Sequence, residues 1–500
     1  MRAPHFGTDG WRGVMADDFT FANVERVAQA AADFWRAEPP PGTRRRVVVG
    51  YDRRFLSDRF AARVAGVLAG NGFTVILTDC FIVTSAVSLA VRDGRAAGGV
   101  MITASHNPPQ FNGFKLKAWF GGSAGPETGR AVEARLGRNP VQRMPLAEAV
   151  RARRVQRRDL ATPHLAAVRK QVDFRAIARA GLRVAHDAMY GVGADLFATL
   201  LRGTSCRVTT LRGEPDALFG GIHPEPIPRY YEATTRWLRA HPQDVCLATD
   251  GDADRLGGLD GRGRPLTTHQ CLSLLLEHFV VHRGARGRVI KSVNTTSLVD
   301  ALCAEHGLPL TEVGIGFPRL CAEMRADDVL LGVEESGGIG YPPYLPDRDG
   351  IAAGMWLLEL LAVTGRSVRR LLGRLERRFG PHHYDRVGLR VPDGAAETIE
   401  SRLRADPPAR LLRSPVERVV TLDGVKCVAR DGSWLMFRRS GTEPLFRVYA
   451  EAASEERVRR LLAQGRRVVR QLGKQPASPA APAVMRRPAS PAGPSAGGKA

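Results

Sequence analysis

The chain has 500 residues, 44% hydrophobic and 25% charged, and 73 Lys and Arg against 51 Asp and Glu leave a formal charge of +22. At roughly 150 residues per domain, that length predicts about three or four domains, each able to bury a core. No apolar run approaches the ~20 residues of a membrane helix, Met1–Gly7 is not an apolar signal region, and seven scattered cysteines without Cys-x-x-Cys spacing argue against zinc or a disulfide framework, so a cytoplasmic protein that does not enter membranes is expected.

The basic charge raises nucleic acid as a partner. Against it, the arginines are spread along the chain, no basic run exceeds Arg44-Arg45-Arg46, and aromatics do not interleave with them. A general pull on anionic metabolites accounts for the charge without nucleic acid.

In chain order, Val47–Gly50 reads as a strand. A helix follows with Ser57 as N-cap and Phe60, Val64, Val67 and Leu68 on one face, then a strand over Phe73–Leu77. The apolar run Gly98–Ile102 is a further buried strand. It delivers Thr103-Ala104-Ser105-His106-Asn107-Pro108, whose Asn-Pro forces a turn. A hydroxyl at the carboxyl end of such a strand points to where open α/β sheets bind ligands, so Ser105 is a candidate nucleophile. Lys115 is a candidate for proton transfer. His106 is adjacent, but neighbours in an extended loop point apart.

The same pattern recurs twice. Leu182–Asp187, a Gly-containing turn, a helix and Arg207–Leu211 lead to Val245–Thr249, which delivers Asp250-Gly251-Asp252-Ala253-Asp254-Arg255. Arg288–Val293, a helix near Ser297–Glu305 and Val329–Val333 deliver Glu334-Glu335-Ser336-Gly337-Gly338. Alternating strands and helices predict mostly parallel sheets. Three carboxylates on alternate residues of a curled loop suit Mg²⁺ or a similar hard cation, and Arg255 beside them suits a phosphate. Glu334 and Ser336 suit sugar hydroxyls. Short strands cluster from Glu417 to Glu451, and an amphipathic helix follows through Leu472. This predicts a smaller α+β domain carrying Arg438-Arg439-Ser440-Gly441-Thr442, a phosphate cradle without P-loop spacing. Beyond about Lys474, Pro, Ala, Ser and Gly dominate, and a disordered tail is expected.

Taken in order, Phe6-Gly7-Thr8-Asp9-Gly10-Trp11-Arg12-Gly13, the Ser105 hexapeptide, Asp250–Arg255, Gly332–Gly338 and Arg438–Pro444 resemble the α-D-phosphohexomutase superfamily, the phosphoglucomutases and phosphomannomutases. The resemblance implies three topologically similar α/β domains with mixed, mostly parallel sheets (1–150, 151–259 and 260–375) and a smaller C-terminal α+β domain (380–473) around a central cleft, with the tail at 474–500. It implies a phosphorylated Ser105, Mg²⁺ held by Ser105, Asp250, Asp252 and Asp254, and Arg12, His106, Lys115 and Arg255 at the reacting end. Glu334 and Ser336 would read the sugar. Arg438, Ser440, Gly441 and Thr442 would hold the distal phosphate, with Lys291, Arg319 and Arg447 as further candidates.

The implied reaction interconverts glucose 1-phosphate and glucose 6-phosphate through a 1,6-bisphosphate, which also serves as activator. The implied enzyme is a monomer or homodimer. Phosphomannomutase or dual specificity is the alternative. An aspartyl-phosphate phosphatase would leave two loops idle, and a mere sugar-phosphate binder would not need the nucleophile. Two departures from the family pattern stand out. Pro318-Arg319 replaces the usual lysine after Gly316-Phe317, and Arg439 replaces a proline and is expected to add charge at the phosphate site. Glu-Glu-Ser-Gly-Gly, without the histidine common in dual-specificity enzymes, leans towards glucose.

Overall fold

The computed structural model describes residues 3–392, 394–439 and 445–474. The expected tail and the positions of Ser440, Gly441 and Thr442 lie outside the described residues.

The first sheet has seven strands, in spatial order Phe6–Gly7, Gly10–Val14, Phe111–Ala118, Ala96–Ile102, Arg44–Tyr51, Thr74–Thr78 and Val155–Arg158. Ala96–Ile102 is buried at every residue, with Trp35 of helix Phe21–Ala37 against one face and Val91 of helix Thr84–Asp93 against the other. A Cβ at Gly98 would lie 2.7 Å from the Trp35 ring and one at Gly99 2.6 Å from Val91, which is why this strand carries two glycines at its centre. The second sheet runs Pro265–Leu266, Leu256–Asp260, Val245–Thr249, Arg183–Asp187, Arg207–Leu211. The third runs Leu310–Val313, Arg288–Ser292, Val329–Val333, Ile339–Tyr341, Leu345–Arg348. The fourth is a six-stranded antiparallel sheet, from His383–Arg390 to Arg410–Leu411, covered by helices Ala395–Ala405 and Glu455–Lys474.

The first three sheets are mixed, and their mixture places the chemistry. Ala96–Ile102, Val245–Thr249 and Val329–Val333 each pair in parallel with one neighbour. Each also pairs antiparallel with the strand that follows it. The Ser105, Asp250 and Glu334 loops are therefore hairpin connections at equivalent places in three similar units. The Arg438 loop joins Trp434–Arg439 to antiparallel Leu445–Ala452.

Three sequence expectations change. Val155–Arg158 pairs with Thr74–Thr78, so the first sheet continues past 150. Pro265–Leu266 closes the second sheet past 259. Ser57 is the first residue of helix Ser57–Gly70 and does not cap it, because its hydroxyl donates to Asp52 Oδ1 at 2.8 Å. Phe60, Val64, Val67 and Leu68 are buried as the spacing predicts.

One apolar cluster joins the first three units, from Val87 through Phe197 and Leu247 to Trp356 and Leu358 on the buried helix Gly350–Thr364. The fourth unit has its own core, with Ile399, Leu435, Val448 and Leu461. Among the described residues no single helix is long and apolar enough to cross a membrane.

Candidate active site

Ser105 is the third residue after the strand Ala96–Ile102 ends. Its N–H donates to Thr103 Oγ1 at 2.9 Å, and its φ of +51° is left-handed, which costs a non-glycine residue free energy unless its surroundings fix it. From there its hydroxyl donates to Asp250 Oδ2 at 2.7 Å. His106 Nδ1 is 3.4 Å from the same hydroxyl, so adjacency does not carry the ring away. Burial, with Arg255 and Arg12 nearby, holds the His106 pKa well below the ordinary histidine range, which keeps the ring neutral at pH 7. Arg12 donates to Asn107 Oδ1 at 2.7 Å, which fixes its guanidinium beside the loop.

Asp250, Asp252 and Asp254 are fully buried. Asp250 Oδ1 accepts the N–H groups of Asp254 and Arg255 at 3.0 and 3.1 Å, so the loop curls around its first carboxylate. Asp252 Oδ2 accepts from Thr84 Oγ1 at 2.7 Å and Lys115 Nζ at 2.8 Å. Asp254 Oδ2 meets Lys115 at 3.0 Å and Arg348 Nε at 2.8 Å. Among the described residues Asp252 Oδ1 and Asp254 Oδ1 are buried without a hydrogen-bond partner, and one oxygen from each aspartate lies within 4.8 Å of the others. Burial, then Asp252 and Asp254, push the Asp250 carboxyl well up. For Asp252 burial acts upward too, but the Lys115 ammonium and its hydrogen bond reverse it and hold that carboxyl low. Orphaned hard oxygens and a carboxylate raised by like charges are what a divalent cation relieves, so the donor set fits Mg²⁺.

Lys115 sits deeper than its expected place at the reacting end. It is buried against Asp252 and Asp254, with Asp9 at 3.3 Å. Burial would lower its pKa, but these carboxylates raise it, so it is a fixed cation in this arrangement. Arg255 Nε stands 3.7 and 3.8 Å from Asp250 and Asp254, with no hydrogen bond of its own among the described residues.

In the third loop, Glu334 Oε1 accepts from Gly316 N–H at 3.0 Å and Oε2 from Ser336 Oγ at 2.6 Å. Arg348 lies between loops of three units. It contacts Asp9, Asp254 and, at 3.7 Å, Glu334. Sequence reading missed Arg348 because only tertiary structure brings those carboxylates around it. Arg319 is exposed on helix Phe317–Glu323, and its side chain lies along Gly314. Lys291 is buried between Asp300 and Glu312, so it supports the sheet and is not aimed at the sugar loop.

Arg438 and Arg447 lie directly opposite each other on neighbouring strands. Arg438 Nε donates to Asp423 at 3.1 Å, and the other oxygen of Asp423 accepts Ile315 N–H at 2.8 Å, which ties the fourth unit to the third. Arg439 does not add its charge to this site. Glu397 at 2.9 Å and Glu400 at 3.1 Å take it up. Arg386, also missed from sequence, reaches Glu225 at 2.8 Å and Glu335 at 3.2 Å and so spans the second, third and fourth units.

The family models described as phosphoglucomutase/phosphomannomutase alpha/beta/alpha domains I, II and III match residues 3–142, 162–263 and 267–379, and that of the C-terminal domain matches 389–468. The chain is 29% identical to a phosphoglucomutase/phosphomannomutase of Thermococcus kodakarensis, over 92% of this chain and 97% of the relative. It is 30% identical to a phosphoglucosamine mutase of Mycobacterium marinum, over 91% and 96%. The crystal structure of a Thermus thermophilus protein assigned to the phosphomannomutases superposes with a TM-score of 0.82 at 36% identity, covering 94% of this chain and 99% of that one. With all four domain models matched in order along one chain, this protein belongs to the α-D-phosphohexomutase superfamily and is a phosphohexomutase.

Proposed function

We propose that this phosphohexomutase is a phosphoglucomutase that interconverts glucose 1-phosphate and glucose 6-phosphate through a phosphorylated Ser105 and a glucose 1,6-bisphosphate intermediate. The observation that carries the reading is Ser105 Oγ donating to Asp250 Oδ2 at 2.7 Å beside two orphaned carboxylate oxygens. Relatives carry names for glucose, mannose and glucosamine phosphates, so family membership supplies the reaction and the sugar must be argued from the site.

In the forward half, the Oγ–P bond of phosphorylated Ser105 breaks as a sugar hydroxyl forms its own bond to that phosphorus and gives up its proton. In the return half, the Ser105 hydroxyl attacks the other phosphate of the bisphosphate: the Oγ–P bond forms as the sugar O–P bond breaks, Oγ loses its proton, and the departing sugar oxygen takes up a proton to become a hydroxyl. His106 Nδ1, 3.4 Å from Ser105 Oγ, is placed to take the Oγ proton. Arg12 and Arg255 face the transferring phosphoryl group, where positioning and charge neutralisation supply most of the catalysis. Ser105, Asp250, Asp252 and Asp254 would hold Mg²⁺, which when bound draws charge from the phosphoryl oxygens. Arg438 and Arg447 anchor the phosphate that is not reacting, and Glu334 with Ser336 orients the ring. The cofactors proposed are thus Mg²⁺ and glucose 1,6-bisphosphate as primer.

The test is formation of glucose 6-phosphate from glucose 1-phosphate with Mg²⁺ and catalytic glucose 1,6-bisphosphate, with Ser105 located as the phosphorylated residue by peptide mass spectrometry. No turnover on glucose, mannose or glucosamine 1-phosphate would overturn the reading.

A further inference from the structure

Ser105 is held in a left-handed backbone conformation, and its own loop supplies only one of the restraints, the hydrogen bond from its N–H to Thr103. The opposite side of the residue is held from a distance. Arg54 lies in the turn between strand Arg44–Tyr51 and helix Ser57–Gly70 and is 2% exposed. Its Nη2 donates to Ser105 O at 2.7 Å and Asn107 O at 2.6 Å, and its Nη1 to Pro108 O at 2.9 Å and Phe111 O at 3.0 Å.

One guanidinium thus collects four backbone carbonyls, from the nucleophile to the start of the return strand. Its own orientation is fixed in turn. Asp52 approaches Nε at 3.3 Å, accepts the Arg54 N–H at 3.0 Å, and is itself bound by the Ser57 hydroxyl at 2.8 Å. The Phe219 ring of the second unit covers the guanidinium plane at 4.8 Å. A buried cation matched to one carboxylate and four carbonyls is a costly device for closing a surface turn. It is a suitable one for fixing a strained residue, because a planar fork with five donors sets several acceptors at once and an ammonium does not.

We propose that Arg54 is the positioning residue of the nucleophile loop, its guanidinium holding Ser105 in the conformation from which Oγ reaches the metal-binding carboxylates. The inference rests on the phosphoserine reading. The Arg54 guanidinium is buried and taken up by four carbonyls and Asp52, so it is not free to bind sugar or phosphate. Its removal should therefore alter the rate and leave binding alone, since misplacing a reacting group by about 1 Å costs on the order of a hundredfold.

The experiment compares wild type, Arg54→Lys and Arg54→Ala by mutase kinetics on glucose 1-phosphate, by thermal melting, and by amide hydrogen exchange of the peptide covering residues 103–112. Arg54→Lys should lower kcat by about a hundredfold with KM within twofold, and should raise exchange in residues 103–112 above that of the other sheets. Millimolar methylguanidinium should restore part of the Arg54→Ala rate. If neither variant folds, Asp52→Asn, which removes only the group that orients Nε, should lower kcat about tenfold. A kcat within threefold of wild type in a folded Arg54→Lys, unchanged exchange over 103–112, or a full-rate Asp52→Asn where that variant is needed would each overturn the proposal. Exchange does not depend on turnover, so an inactive wild type would sink the phosphoserine reading while leaving the role of Arg54 to be decided by the exchange result.

Discussion

Removal of the Ser105 hydroxyl deletes its hydrogen bond to Asp250 and its longer contact with His106 from a residue whose backbone is held by Thr103 and Arg54. Ser105→Ala should therefore keep the wild-type melting temperature within about two degrees while turnover falls by several orders of magnitude, because no other oxygen replaces the covalent route. A near wild-type rate in a coupled assay would rule out phosphoserine. Asp252 is a second residue with separable effects. One oxygen serves Lys115 and Thr84, and the other is orphaned. Asn at this position keeps the shape and the Thr84 contact but loses the charge, so Asp252→Asn should raise the Mg²⁺ concentration for half-maximal activity at least tenfold without unfolding the domain. EDTA should abolish wild-type activity and added Mg²⁺ should restore it; full activity in excess EDTA would show that these carboxylates do not hold a catalytic cation.

At the scale of elements, the strands and the loops they deliver were legible because each strand is a short apolar run ending in polar residues, as at Val245–Thr249 before Asp250. The direction of the following strand was not, since periodicity reports which residues are buried and not which neighbour they pair with. The hairpin character of the loops was therefore missed, and with it the opposition of Arg438 and Arg447. Arg54, Arg348 and Arg386 were illegible for another reason: each has a partner far along the chain, Ser105 at 51 residues, Asp9 at 339 and Glu225 at 161, and a lone arginine carries no signal of them. The Arg438–Arg447 pair makes its own prediction. Like charges directly opposite in a sheet destabilise it unless an anion lies between them. Inorganic phosphate should therefore raise the melting temperature of wild type and do so less in Arg438→Ala. In the same variant KM for glucose 1-phosphate should rise about 10–100-fold, the worth of a hydrogen bond to a charged group. The kcat should fall as well, because the distal phosphate positions the reacting end. An unchanged kcat/KM would exclude this hairpin as the anchor.

Across the whole molecule, one apolar cluster runs through the first three units, the first of which also has a core of its own around Phe60 and Trp35, and the fourth joins them through contacts such as Asp423 to Ile315 and Arg386 to Glu225 and Glu335. On the proposed reading the sugar is held by its phosphates at two ends supplied by different units, and its ring by Glu334 and Ser336 between them. That division limits selectivity. Glucose and mannose phosphates share both anchors and the 3- and 4-hydroxyls expected to meet Glu334 and Ser336; they differ only in the direction of the 2-hydroxyl. One uncharged hydrogen bond is worth roughly 0.5–1.5 kcal/mol, or about tenfold at most, so glucose 1-phosphate should be preferred by no more than that and mannose 1-phosphate should turn over measurably. Glucosamine 1-phosphate differs in kind, because it brings a 2-ammonium into a site with Arg12, Arg255, Arg348 and Lys115. The acidic side chains that could receive that charge are already engaged: Glu335 and Glu225 by Arg386, and Glu334 by Ser336 and Gly316. Glucosamine 1-phosphate should be the poorest of the three in matched kcat/KM measurements, each primed with its own 1,6-bisphosphate. A clear preference for it would place this chain with relatives such as the Mycobacterium marinum phosphoglucosamine mutase and overturn the glucose assignment.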